Sequence, residues 1–205
     1  MDLQGNTTRL TNEIGNLYAP EISPNGKYIV FTNDYDQFAK IWIMNRDGGN
    51  PHEIYRHEGS DALDPSWSPD GSQILFAVGL GNDKQLHISD IYGANVRRVD
   101  SVYSTRGRSD WSPDGLTIAS YTGESWYREI FLVNIDGSNP RLISDGGNVL
   151  APNFSPDGMW IAITGYIDRY GDDDGCEIYI MRIDGSDMRR LTNNTYCDWQ
   201  PQWGN

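Results

Sequence analysis

The sequence predicts an all-β fold, a β-propeller of four complete four-stranded blades with fragments of a fifth at the two termini, and three observations predict it. A corner phrase recurs at near-constant spacing, the same two strand-like runs follow each copy, and a glycine turn closes each pair of runs. The phrase reads Ile22-Ser23-Pro24-Asn25-Gly26, Trp67-Ser68-Pro69-Asp70-Gly71, Trp111-Ser112-Pro113-Asp114-Gly115 and Phe154-Ser155-Pro156-Asp157-Gly158, with a truncated fifth copy at Trp203-Gly204-Asn205. The complete copies stand 45, 44 and 43 residues apart. That period is the length of one four-stranded blade.

Each element follows from local chemistry. In the corner, Ser opens a type I turn, Pro presets φ at the second position, Asp bonds its own backbone at the third and Gly suits the exit. The second strands are expected at Tyr28-Ile29-Val30-Phe31, Ile74-Leu75-Phe76-Ala77, Ile118-Ala119-Ser120-Tyr121 and Trp160-Ile161-Ala162-Ile163, runs too short for helices. The third are expected at Ile41-Trp42-Ile43-Met44, Leu86-His87-Ile88-Ser89, Ile130-Phe131-Leu132-Val133 and Ile178-Tyr179-Ile180-Met181, rich in β-branched and aromatic types. Asp47-Gly48, Tyr92-Gly93, Asp136-Gly137 and Asp184-Gly185 then read as hairpin turns. Polar fourth strands end in Glu53-Ile54, Arg98-Val99, Arg141-Leu142 and Arg190-Leu191. The blades therefore fall at 18–57, 62–102, 107–145 and 150–193 of a single domain, 1–205, with partial-blade fragments at 1–12 and 198–205.

Composition narrows the function classes. With 29 acidic against 16 basic residues the net charge is −13, a field that repels nucleic acid and anionic membrane surfaces and favours cationic or neutral partners. No apolar run approaches the ~18 residues that cross a bilayer, and the first thirty residues lack a signal-peptide profile. The two cysteines, Cys176 and Cys197, are too few to define a redox compartment, and their spacing leaves pairing open.

The chain resembles the TolB-type, WD-like propeller repeat family along essentially its whole length. The resemblance rests on the four corner phrases, on Ile178-Tyr179-Ile180-Met181, and on Asp184-Gly185-Ser186-Asp187-Met188-Arg189-Arg190-Leu191-Thr192. It implies fold rather than chemistry: such propellers serve as periplasmic interaction partners, as gating domains of serine peptidases and in carbohydrate-active proteins. An extracytoplasmic or periplasmic location is implied on the same ground. Met1 to Thr11 align with the end of a third strand, its turn and a fourth strand, and the chain stops in a first strand at Trp203. Three closures follow from this: a longer propeller, a ring with an imperfect fifth blade, or self-association through open blade ends.

Repeated residues read as architecture. Trp67, Trp111, Phe154 and Trp203, one per blade, are expected to pack between sheets, as are Trp42, His87, Phe131 and Tyr179; Asn25, Asp70, Asp114 and Asp157 serve their turns. Function is expected where the repeat breaks, in the irregular segments 33–38, 79–83, 123–127 and 165–175. The candidate ligand-binding residues are Tyr35, Phe38, Trp126, Tyr127, Tyr166, Tyr170, Asp172, Asp173 and Asp174, aromatic faces beside carboxylates that suit a cationic peptide, a basic side chain or a sugar. A calcium loop fails at Tyr170 and Met181, which leaves Asp168, Asp172, Asp174 and Glu177 as weak metal candidates. No nucleophile elbow, zinc pair or phosphate loop occurs, and no cofactor is implied. His57 with Glu58 is the sole acid–base pair. The expectation is a non-catalytic scaffold for a protein, peptide or other ligand on the irregular-loop face; the alternative is a carbohydrate-active enzyme or a propeller segment of a larger hydrolase.

Overall fold

The computed structural model describes residues 7–12, 15–166 and 175–203. Its unit of construction is the corner. In the second copy Gly71 N–H donates to Ser68 O at 2.8 Å, and Asp70 Oδ1 accepts from Ser68 Oγ at 2.7 Å and from Ser72 N–H at 3.0 Å. Ser68 Oγ in turn accepts from Gln73 N–H at 2.9 Å, which launches the next strand. Asn25, Asp114 and Asp157 make the matching bonds. These bonds hold the Asp70, Asp114 and Asp157 carboxyls below their ordinary range. The corner carboxylates are turn-builders.

Four such corners give four antiparallel sheets, each ordered as in the sequence. The first comprises β1 (Leu17–Ile22), β2 (Tyr28–Asn33), β3 (Lys40–Asn45) and β4 (His52–Tyr55); the second β5 (Asp61–Trp67), β6 (Gln73–Leu80), β7 (Asp83–Asp90) and β8 (Arg97–Arg98). The third comprises β9 (Asp110–Trp111), β10 (Thr117–Glu124), β11 (Tyr127–Asn134) and β12 (Arg141–Leu142); the fourth β13 (Val149–Phe154), β14 (Trp160–Gly165), β15 (Glu177–Arg182) and β16 (Arg189–Arg190). Two segments expected to be irregular are regular hairpins. Leu80 pairs with Asp83 and Glu124 with Tyr127, so β6–β7 and β10–β11 run on to two-residue tips. Period-2 alternation fades near those tips, where both faces leave the core, and the sequence signal fades with it.

Blades pack face to face through apolar clusters. Val30, Ile41 and Ile43 of the first blade meet Trp67, Ile74 and Phe76 of the second. Leu75, Leu86 and Ile88 of the second meet Trp111, Ile118 and Phe131 of the third; Ile130 and Leu132 of the third meet Phe154, Ile163 and Met181 of the fourth. His87 is a packed histidine, stacked on Phe76 at 6.1 Å. On the outside, each β3–β4-type turn lies under the fourth strand of the blade before it. A Cβ on Gly93, Gly137 or Gly185 would meet Ile54 O, Asp100 O or Ile143 O at 1.7, 2.3 and 1.9 Å, closer than any side chain tolerates. Gly48 has the same neighbour in Leu10 O at 2.5 Å. The amino-terminal segment thus occupies the place of a preceding fourth strand.

The carboxyl-terminal segment occupies the place of a following first strand. Trp203 Nε1 donates to Asn153 O at 3.1 Å, as Trp67 Nε1 does to Glu21 O at 3.2 Å and Trp111 Nε1 to Ser66 O at 3.4 Å. A disulfide joins Cys176 to Cys197, with Cα atoms 4.4 Å apart, and Asp198 N–H donates to Cys176 O at 2.8 Å. The bridge pins that segment to the start of β15.

Candidate functional site: the axial channel and its mouth

The first strands are sheet edges, and their sequence shows it. Pro20, Pro65, Pro152 and Pro201 sit where no ladder donor is needed. Before each proline the backbone is left-handed, with φ of 51° at Ala19, 53° at Asp64, 52° at Ala151 and 52° at Gln200. Pairing with the second strand shifts register there in the first, second and fourth blades. These are β-bulges, which re-aim the neighbouring side chains. Asp64, Arg108 and Gln200, with Glu21, Asp110 and Gln202, line one axial channel.

That channel is narrow. It holds about 40 Å³, room for a water or two and far below the ~300 Å³ of small-molecule pockets. Its carboxylates are also structural. Glu21 Oε1 accepts Trp67 N–H at 3.0 Å; Asp110 Oδ2 accepts Phe154 N–H at 2.7 Å and Asn153 Nδ2 at 3.0 Å. Each ties its blade to the next. Burial outweighs those bonds and pushes both Glu21 and Asp110 up to about 7. Asp64 is raised by burial against the charges of Arg108 and Lys84.

Register fixes which loops surround the mouth. Leu17 pairs with Asn33, Asp61 with Gly79 and Val149 with Gly165, so first strands begin on the face where second strands end. The segments after β2, β6, β10 and β14 therefore share that face with Tyr18, Asp61 and Lys84. Burial, then the charges of Asp64, Asp34 and Asp61, raise the Tyr18 hydroxyl. The buried Lys84 is lowered by desolvation, opposed by Asp61 and Asp64. Arg106 approaches Glu124 at 3.7 Å beside it.

Of the expected ligand-binding residues, Tyr35, Trp126 and Tyr127 are 73%, 61% and 51% exposed, while Phe38 and Tyr166 are partly buried. Tyr170, Asp172, Asp173 and Asp174 lie outside the described residues, as does Asp168. Glu177 is not a free metal ligand: Arg190, Thr192 and Asn194 all donate to it, and the Thr192 hydroxyl first among them holds it below its ordinary range. His57 and Glu58 are exposed, and the His57 backbone forms a bridge to Ser60. Among the described residues no group of His, Cys, Asp and Glu could hold a metal ion.

Sequence reasoning missed the residues at the channel. Their signal is a position that varies inside a constant context: Ala19, Asp64, Arg108, Ala151 and Gln200 each stand three residues before the aromatic or aliphatic corner residue. One blade departs further, with Ser109 where the others have proline. Its hydroxyl bonds Ser120 Oγ at 2.8 Å.

The TolB beta propeller domain family's sequence profile matches residues 1–164 and 84–205. The Tol-Pal system protein TolB of Francisella tularensis subsp. mediasiatica is 28% identical over 173 residues, covering 82% of this chain and 28% of that protein. The crystal structure of TolB from Acinetobacter baumannii superposes with a TM-score of 0.79 at 22% identity, over 98% of this chain and 49% of that one. An oligogalacturonate lyase from Vibrio parahaemolyticus gives a TM-score of 0.64 at 16% identity, over 88% and 54% of the two chains. The chain thus spans under a third of the curated relative and about half of the solved TolB. At these identities the solved structures show the fold.

Proposed function

The chain belongs to the TolB β-propeller domain family, and from that premise we propose that it is a non-catalytic binding scaffold whose ligand sits on the loop face around the channel mouth. One observation carries this reading: exposed aromatics at Tyr35, Trp126 and Tyr127 share a face with the acidic mouth, while the channel beneath is too narrow to admit a substrate. Exposed aromatic faces beside carboxylates favour a basic or peptide partner. The name of the Francisella relative, a Tol-Pal system protein, is in keeping with a protein partner. The acidic run Asp172-Asp173-Asp174, with Tyr170, belongs to the proposed surface on sequence grounds.

The rival reading is a carbohydrate-active enzyme, as in the lyase that shares the fold. A turnover screen on oligosaccharides and peptides separates the two. Binding of lysine-rich peptides without turnover is the expected result; robust turnover lost in His57→Ala would replace the scaffold by an enzyme. Self-association through the open blade ends is a separate proposal about partners, supported by exposed Ile22 and Leu191. Light scattering tests it independently of any ligand.

A further inference from the structure

Three departures from the repeat meet at the crevice between the third and fourth blades. The first is volume. Where the second and third blades set Trp67 and Trp111 against the blade before, the fourth sets Phe154, and where the first blade fills its crevice with Tyr28 the third has Thr117. A hollow of roughly 260 Å³ remains, floored by Leu132, Phe154 and Ile183 and walled by Thr117 and Arg141. Ile183 at its edge is 38% exposed, whereas the matching Ile91 and Ile135 pack against their interblade clusters. The second departure is charge. Arg97 and Arg141 hold equivalent places, paired with Ile88 and Leu132. Arg97 Nη1 donates across its crevice to Ile135 O at 2.6 Å; Arg141, half-buried, has no hydrogen bond or ion pair among the described residues. A guanidinium in that setting favours a carboxylate, which its planar fork holds through two parallel N–H donors. The third departure is the rim. After the corner glycine the first two blades carry Lys27 and Ser72, while the third and fourth carry Leu116 and Met159, 60% and 56% exposed.

We propose that this crevice binds the carboxyl-terminal residue of a partner polypeptide, its apolar side chain in the hollow and its carboxylate on Arg141. The volume falls below the ~300–1,000 Å³ of small-molecule sites and suits a single side chain. Capture of a chain end by a fixed donor is a known mode of peptide recognition. Asp114 and Asp157 stand on the corner walls, their carboxylates already held by the Ser112 and Ser155 hydroxyls. A basic residue next to the terminus is therefore favoured and a second acidic one opposed, in keeping with the net charge of −13. Both walls belong to a formed blade interface within the described residues. The site lies on the corner face, opposite the channel mouth, and stands or falls separately from the scaffold reading.

The probe is a fluorescein-labelled peptide ending in Lys-Leu with a free carboxyl group, titrated with the whole protein and followed by anisotropy. Its comparisons are the same peptide amidated at the carboxyl end and the same peptide ending in Lys-Ser. The expected result is saturable binding weakened at least about tenfold by either peptide change, by Arg141→Gln and by Phe154→Trp. The last variant introduces the residue of the second and third corners, so it fills the hollow and keeps the fold, which the urea midpoint verifies. If either variant unfolds, the two altered peptides decide the matter. No saturable binding up to about 1 mM overturns the proposal, as does affinity indifferent to amidation. N-acetylleucine binding as tightly as the peptide assigns the hollow to a small carboxylic acid and overturns it as well.

Discussion

Protonation of the channel carboxylates should set how stability depends on pH. Glu21 moves from an ordinary 4.5 to about 7, and Asp110 from 3.8 to about 7. A carboxyl raised in the folded state binds its proton more tightly there, so its contribution is greatest at low pH and is lost as pH rises from about 4 to 7. At ~1.4 kcal/mol per pKa unit each group alone corresponds to about 3–4 kcal/mol. Channel water screens them, and the Asp110 charge is itself one cause of the Glu21 shift, so the two penalties overlap. We expect about 2–4 kcal/mol for the pair. The assay is urea unfolding at intervals between pH 5 and 8. Wild-type stability should fall across that range, and Glu21→Gln with Asp110→Asn should flatten the fall and be the more stable protein at pH 8. Both amides keep an oxygen for the Trp67 and Phe154 N–H groups. His87, lowered by burial, works in the opposite direction below about pH 6.5, which is why the variant is compared with wild type at each pH. The corner carboxylates act only below about pH 4, in the sense of ordinary acid unfolding. A wild-type profile that rises from pH 5 to 8, or a double variant no more stable at pH 8, would refute the reasoning.

Other outcomes are as specific. Reducing the Cys176–Cys197 bridge, or Cys197→Ser, opens a loop of sequence separation 21 and should lower stability by about 3 kcal/mol in chain-entropy terms, read as a shift in urea midpoint. Trp111→Ala, at a site 4% exposed between the second and third blades, should lose about 3–5 kcal/mol, whereas Trp126→Ala at 61% exposure should leave the midpoint unmoved and weaken partner binding. Changing Asp172, Asp173 and Asp174 together to Asn should weaken binding of a basic peptide at low salt and spare the melting temperature; unchanged affinity removes that run from the site. Self-association predicts a mass above 23.1 kDa that dissociates on dilution. A constant monomer over a hundredfold concentration range excludes it.

The fold was legible because the repeat is written in turn chemistry. Ser-Pro-Asp-Gly dictates the corner bond by bond, as the Ser68–Asp70–Ser72 set shows, and four copies fix the period. The site was less legible for the same reason. Repetition marks what every blade needs, and Asp64 and Gln200 sit inside the repeated x-Pro-x-aromatic context, with Arg108 at the matching position before Ser109, so nothing but the side chain sets them apart. Asp64 and Gln200 reach the axis from left-handed backbone before proline, a conformation uncommon for a non-glycine residue. Glu21 and Asp110 were hidden differently. Each looks like an ordinary strand residue, and its shifted protonation arises from the three other first strands and the carboxyl-terminal segment closing around it, a long-range fact that no window of one blade contains. The variable position before the proline is therefore where a propeller of this type can change what its axis holds while leaving every corner, staple and interblade face intact.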